Sequence, residues 1–138
     1  MSLQQHPNID TAVRYHQAVS GFAAGADLAA FFHPDAIHRE LPNALFPEGS
    51  IRDLAGICAA AQAGRASLSA QSFQVISALA VGDHVALEVL WTGTLAVRIG
   101  NLPAGHTLRA HIAAFLEFRA GKIIAQRNYD CYELLTPA

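Results

Sequence analysis

The sequence has 138 residues, a formal net charge of −2, a hydrophobic share of 52% and a charged share of only 14%. This length fits one domain over residues 1–138, and the apolar excess predicts a lined cavity or an oligomer interface. Without a cluster of Lys and Arg, nucleic acid is a poor candidate partner. No run approaches the roughly 18–20 apolar residues of a membrane span. The N-terminus lacks a secretory signal pattern and the two cysteines fit reduced thiols, so we expect a cytoplasmic protein.

Two helices are predicted at the start of the chain. Apolar residues at a 3.6-residue period indicate an amphipathic helix over residues 8–24, which Gly25 ends. Asp27 is then placed to cap a short second helix over residues 28–32.

A strand and a third helix follow. Residues 36–41 alternate in polarity, which places His38 and Glu40 on one face of a strand. Ser50 followed by Asp53 resembles a capping box, and this pattern predicts that the third helix opens at Ser50.

The remainder of the chain is predicted to be β-structure. A strand as long as residues 84–97 is expected to bend, and Gly93 is the expected place. The element order predicts an α+β fold, in which three N-terminal helices pack on the concave face of a curved, mixed or antiparallel sheet. Because the late strands are apolar on both faces, we expect a second copy of the chain against the outer face. The four late strands are predicted over residues 69–79, 84–97, 107–118 and 122–132.

Three motifs give the chain a resemblance to a known superfamily. They are H-P-D-A-I-H-R-E at residues 33–40, W-T-G-T at 91–94, and A-G-K-I at 120–123 with a following strand that ends in R-N-Y-D-C-Y-E. With the element order, they resemble the SnoaL-like polyketide cyclases and ketosteroid isomerase-like proteins of the nuclear transport factor 2-like superfamily. The resemblance implies a cone-shaped fold, a pocket for a small-molecule ligand and a homodimer packed through the sheet. Because this superfamily includes enzymes, binding modules and scaffolds, the fold leaves the function open.

Glu40 is the first candidate catalytic residue. The resemblance places the isomerases' general base here, a few residues after Asp35-Ala36, and a carboxylate in an apolar cavity can abstract a proton next to a carbonyl. Alternatively, Glu40 orders the following loop or pairs with an Arg. His38, on the same strand face, is a candidate substrate-binding residue, and it could form an acid/base pair with Glu40 or, with a third ligand, hold a metal. The alternative is a histidine hydrogen-bonded at the pocket mouth.

Asn128 and Asp130 are candidates on the last strand. In the SnoaL-like cyclases and limonene epoxide hydrolase-like enzymes a catalytic Asp lies on this strand, and its position matches Asn128. An amide can bind a substrate oxygen but cannot act as a base. Asp130, two residues on, could supply the missing carboxylate, or it could be a structural Asp paired with Arg127 or Arg109.

His111 is a third candidate catalytic residue, since a neutral imidazole can shuttle a proton. Counting back from Gly121, the resemblance places the isomerases' protonated acid at Ala113, which has no proton to give. If Ala113 faces the pocket, His111 does too and could substitute for that acid. The alternative is a buried structural histidine.

Tyr15 is a candidate oxyanion donor on the first helix, and Trp91 is a candidate pocket wall or dimer contact. The leading hypothesis is cofactor-free acid/base chemistry of the isomerase, cyclase or hydratase type on a small, apolar, oxygenated molecule. The rival is a binding or accessory module without turnover, which Asn128 and Ala113 favour. No metal is expected, because the seven histidines show no H-x-H or H-x-x-x-H pair.

Overall fold

The computed structural model describes residues 6–133. Three helices pack against one face of a curved, unclosed, six-stranded sheet with the order β2-β1-β6-β5-β4-β3, which confirms the predicted α+β fold. β1 and β6 run parallel, and the other neighbouring strands run antiparallel. The elements are α1 (Pro7–Ser20), α2 (Gly25–Ala29), β1 (Phe32–Glu40), β2 (Ser50–Arg52), α3 (Leu54–Ser67), β3 (Leu68–Val81), β4 (His84–Leu95), β5 (Thr107–Arg119) and β6 (Lys122–Tyr132).

The first two helices differ from their predicted bounds. α1 ends at Ser20, where the N–H of Gly21 donates to carbonyls of the last turn, and Phe22 takes a left-handed φ of 60°. Phe22 lies beyond the helix end but still lines a cavity. The apolar pattern in the sequence therefore extended past the true end of the helix. α2 begins at Gly25, and Asp27 lies in its first turn instead of capping it.

β2 is a strand that the sequence pattern assigned to the third helix. Ser50–Arg52 pairs antiparallel with β1, so that Arg52 lies opposite His38. The helix cap is Asp53, whose Oδ1 accepts a 2.9 Å hydrogen bond from the N–H of Gly56. A three-residue strand makes no periodic pattern of its own, and only its distant partner defines it.

β4 carries no bulge at Gly93, where the sequence predicted an irregularity. The register with β5 runs unbroken through Gly93, and the irregularities lie on β3, after Leu68 and after Val75. The absence of a side chain at Gly93 leaves room for Trp91, because a Cβ at Gly93 would overlap the indole ring. The glycine therefore allows the large ring to lie along the inner face of the strand.

The two faces of the sheet differ in what covers them. Along β5 the even-numbered residues are buried against the helices, whereas the odd-numbered ones point to the uncovered outer face. The outer face nevertheless exposes apolar side chains beside its ion pairs, with Phe115 exposed to 39%, Tyr129 to 44% and Leu79 to 74%. No helix in residues 6–133 is long and apolar enough to cross a membrane.

Candidate functional site

A cavity of about 230 Å³ lies between α1 and the inner face of the sheet. Six of the seven predicted site residues line it, together with residues that the sequence did not single out. Its wall consists of Tyr15, His16, Val19, His38, Glu40, Gln71, Phe73, Trp91, Ile112, Gln126, Asn128, Asp130 and Tyr132.

The parallel pairing of β1 with β6 brings the polar side chains together. Glu40 lies opposite Asn128, and His38 lies opposite Gln126. Because alternate residues of a strand share a face, Asp130 extends the same row by one step. Two segments from opposite ends of the sequence thus form one polar wall.

Three neighbouring donors face the carboxyl group of Glu40. Its Oε1 accepts from Asn43 Nδ2 at 3.1 Å, and its Oε2 faces Ser50 Oγ and Arg52 Nη1, both at 3.5 Å. The Glu40 side chain is only 11% exposed, so these contacts replace water as its solvation.

Asp130 has the opposite environment. Burial and the neighbouring Glu40 carboxylate, to which it can hydrogen-bond, raise the pKa of Asp130 from 3.8 to about 7. Its Oδ1 is buried without a hydrogen-bond partner. Two carboxyl groups can form a hydrogen bond only when one of them carries a proton, and the raised pKa of Asp130 favours that proton on Asp130.

The remaining ionisable groups of the cavity stay uncharged. Burial and the Arg52 charge lower the pKa of His38 to about 4, so its imidazole is neutral at neutral pH. Burial raises the pKa of Tyr15 to about 12, although the neighbouring Gln126 amide opposes the shift. The pKa of Tyr132 is raised by burial and by the Asp130 and Glu40 charges. Both phenols are therefore hydrogen-bond donors.

Side-chain amides order the cavity walls. Gln126 Nε2 donates to Asn128 Oδ1 at 3.1 Å, which turns the Asn128 Nδ2 away from Gln126. Across the cavity, Trp91 Nε1 donates to Gln71 Oε1 at 3.1 Å, and Gln71 Nε2 donates to the carbonyl of Val19 at 2.9 Å. The indole is therefore fixed at its polar atom, and the ring of Tyr132 meets it edge to face, with 6.1 Å between the ring centroids.

His111 and Ala113 are not part of the cavity. Both lie on the outer face of β5, where the His111 side chain is 62% exposed and its Nε2 lies 2.9 Å from Glu133 Oε2. The predicted pocket position of His111 is wrong because strand alternation turns Ile112 and Ala114 inward instead. Ala113 consequently carries no information about an acid in the cavity.

A wider and more apolar vestibule adjoins the cavity. It has a volume of about 490 Å³ and shares Trp91 and Tyr132 with the inner wall. Arg52 is the one charged residue among those that line it. The vestibule lining comprises Leu45, Phe46, Arg52, Ala60, Ala63, Gly64, Ser67, Leu68, Trp91, Leu95, Ile99, Leu108 and Tyr132.

Several residues of the site were not predicted. Tyr132 follows from extending the alternation of Gln126, Asn128 and Asp130 by one step, so the sequence contained its signal. Arg52 was assigned to a helix. Gln71 lies in a segment predicted to be β-strand, and its sequence gave no sign that its side chain accepts a hydrogen bond from Trp91. In the part of the chain that the structure describes, no three His, Cys, Asp or Glu side chains are grouped to hold a metal ion.

A protein-family model matches most of the chain. The model of the SnoaL-like domain matches residues 12–126. The chain belongs to the SnoaL-like family. No curated protein sequence matches it.

Solved structures share the SnoaL-like fold at low sequence identity. IdmH, a proposed polyketide cyclase from Streptomyces antibioticus, has a TM-score of 0.73 at 23% identity, over 91% of this chain and 92% of its own. AclR, a proposed hydroxylase from Streptomyces galilaeus, has a TM-score of 0.73 at 19% identity, over 94% of this chain and 76% of its own. A proposed polyketide cyclase from Acidithiobacillus ferrooxidans has a TM-score of 0.71 at 21% identity, over 94% and 91%. At these identities the likeness shows the fold alone.

Proposed function

We propose that this SnoaL-like protein binds an apolar, oxygenated small molecule and catalyses cofactor-free proton transfer on it, as in an isomerisation, cyclisation or hydration. The observation that carries the proposal is the Glu40–Asp130 carboxyl pair in the polar wall of the cavity. The cyclase assignments of the fold neighbours IdmH and the Acidithiobacillus protein support the same class of chemistry.

Asp130 is the proton-transferring group in this proposal. With a pKa of about 7, its protonated and ionised forms are both populated near neutral pH. That condition suits a general acid and a general base equally. The Glu40 carboxylate beside it makes the ionised form of Asp130 more basic and would strengthen its attack on an acidic C–H bond. Glu40 thus acts on the substrate's proton through Asp130.

Neutral donors hold the substrate oxygen. The Nδ2 of Asn128 is free of its neighbour Gln126, and the phenols of Tyr15 and Tyr132 remain protonated. Aimed at a carbonyl oxygen, such donors stabilise the negative charge that develops when a proton leaves the adjacent carbon. His38, held neutral, can add one more donor or accept a hydroxyl proton.

The volumes of the two compartments suggest the shape of the ligand. The inner cavity of about 230 Å³ is smaller than the roughly 300–1,000 Å³ usual for drug-sized ligands. The vestibule of about 490 Å³ brings the combined space into that range. We therefore infer a ligand whose oxygenated end enters the polar cavity while its apolar body lies in the vestibule.

Single substitutions test the assignment. Asp130→Asn and Glu40→Gln are assayed against a panel of cyclic ketones and epoxides, with Asp35→Asn, an 84% exposed carboxylate on β1, as the matched control. We expect Asp130→Asn to lower turnover by about 10²–10⁴-fold, as is usual for the loss of a general acid or base. Activity that survives both cavity substitutions would show that another group moves the proton.

Ligand binding is measured separately, through the fluorescence of Trp91, the only tryptophan in the sequence and part of the cavity wall. Panel members that change this fluorescence without being turned over would support the rival proposal of a binding module. The Asn at position 128, in place of an acid, is the observation that favours this rival.

We also propose that the outer face of the sheet pairs with a second copy of the chain. Exposed apolar side chains from four strands lie on this face, and such patches are uncommon on monomers. The proposal predicts a dimer mass by analytical ultracentrifugation at micromolar concentration, and a monomer mass would contradict it. The exposed side chains are Ile37, Leu79, Val81, Phe115 and Tyr129.

A further inference from the structure

Asn43 lies in the loop between β1 and β2, and its amide orientation is determined by the backbone around it. Its Oδ1 accepts hydrogen bonds from the N–H groups of Leu45 at 3.0 Å and Phe46 at 2.9 Å. Only the oxygen of an amide can accept from two N–H donors, so the Nδ2 end must point the other way.

The Nδ2 end of Asn43 points to the carboxyl pair. It donates to Glu40 Oε1 at 3.1 Å and to the carbonyl of Leu41 at 3.1 Å. One side chain therefore fixes the turn at residues 45–46 and the rotamer of a cavity carboxylate at once. The other oxygen of Glu40 faces Ser50 and Arg52 at 3.5 Å, so Asn43 makes the shortest of the three contacts.

The loop itself is closed tightly over Glu40. The N–H of Asn43 and the N–H of Gly49 both donate to the carbonyl of Phe46, at 3.0 and 2.9 Å. Gly49 has a φ of 67°, and a Cβ there would collide with the backbone carbonyl oxygen of Glu40. Asn43 consequently has little freedom to leave its position.

We propose that Asn43 is a positioning residue, which holds Glu40 in the ionised form and thereby places the shared proton on Asp130. The inference rests on the proposed function of the carboxyl pair. It adds which of the two carboxyl groups carries the shared proton. Around Glu40, the charged or titratable groups are Arg52 on β2, Asp130 and Tyr132 on β6, and His38 on β1. Ser50 and Arg52 face the other oxygen, Oε2, so the loss of Asn43 removes a donor from Oε1 and lets that oxygen compete for the proton.

Two substitutions separate this role from loop stability. Asn43→Asp keeps an oxygen that can accept from the N–H groups of Leu45 and Phe46, but it replaces the donor to Glu40 with a carboxyl group, whose negative charge also favours the protonated form of Glu40. Asn43→Ala removes both functions. Asn101→Ala, in the exposed turn before β5, is the matched control. Backbone amide NMR spectra establish which variants keep the native fold, and Asn43→Asp alone decides the matter if the alanine variant unfolds.

The measurement is a carboxyl-carbon NMR titration of protein labelled with ¹³C at Asp and Glu. Signals are assigned from the spectra of Asp130→Asn and Glu40→Gln. In the unsubstituted protein we expect the titration step near neutral pH on the Asp130 carbon, with little movement of the Glu40 carbon. In folded Asn43→Asp we expect a resolved step on Glu40 and a midpoint at higher pH.

A folded Asn43→Asp variant with both carboxyl carbons titrating as in the unsubstituted protein would overturn the inference. Because the titration needs no substrate, it remains decisive even if the protein proves to have no turnover. Conversely, activity that survives Asp130→Asn would refute the catalytic proposal without changing the titration result.

Discussion

Replacement of Asp130 by Asn is predicted to stabilise the fold at alkaline pH and not at acid pH. Burial and Glu40 raise the pKa of Asp130 from 3.8 to about 7. Between these values the folded chain keeps a proton that the unfolded chain has released. Stability falls as pH rises wherever the unfolded state binds fewer protons, so the contribution of Asp130 to stability falls from about pH 4 to about pH 7.

The size of this loss follows from the pKa. At about 1.4 kcal/mol for each pKa unit, the rise from 3.8 to about 7 corresponds to at most about 4 kcal/mol. Asp130 keeps some contact with solvent, which screens the charge, so we expect about 2 kcal/mol. The substituted amide has nearly the same shape, stays neutral and can still donate to Glu40. For a domain of this size the difference corresponds to a gain of roughly 6–8 °C in Tm at pH 8.

Thermal unfolding followed by circular dichroism at pH 4.5 and pH 8 measures this effect. Asp35→Asn is the control, because the Asp35 side chain is 84% exposed and its removal should leave the pH dependence unchanged. If Asp130→Asn and the unsubstituted protein differ by the same Tm at both pH values, the carboxyl is not held protonated by the fold. The reasoning about the pair would then be wrong.

Three further predictions concern other parts of the molecule. Gly93→Ala should cost about 1–3 kcal/mol and shift the Trp91 emission, because the new Cβ meets the indole; urea unfolding and fluorescence spectra measure both. The His38 imidazole, with a pKa of about 4, should show no titration between pH 5.5 and 8 in ¹H–¹⁵N spectra of the ring, and a midpoint near 6.5 would contradict its burial. Phe115→Glu should shift the sedimentation mass towards the monomer with the Trp91 emission unchanged, since its side chain lies on the outer face, and an unaltered mass would place the dimer contact elsewhere.

The sequence predicted the wall of the site better than its interior contacts. Alternation along β6 correctly grouped Asn128 with Asp130, and alternation along β1 grouped His38 with Glu40. Period-2 patterning is a local property, so a single strand shows which residues share a face. His111 failed because its face was inferred from a resemblance counted to Ala113, and a count that is off by one residue reverses the face.

Contacts between distant segments were beyond the sequence pattern. The strand Ser50–Arg52 exists because β1 offers it a partner, and Arg52 reaches Glu40 only through that pairing. The raised pKa of Asp130 likewise depends on burial within the fold and on the carboxyl group of Glu40 from β1. Such properties emerge from tertiary packing, and local propensity does not contain them.

The parallel pairing of β1 with β6 also has a consequence for how the chain folds. Glu40 and Asn128 meet in register although well over half of the 138-residue chain separates them in sequence. Contacts of this range close late, because the entropy of the intervening loop must be overcome first. Until they close, Glu40 and Asp130 are two ordinary carboxylates, each free of the other's field. Uptake of one proton during refolding near pH 6 would therefore report when β1 pairs with β6. A chain in which this pair has not yet formed would lack the raised pKa of Asp130.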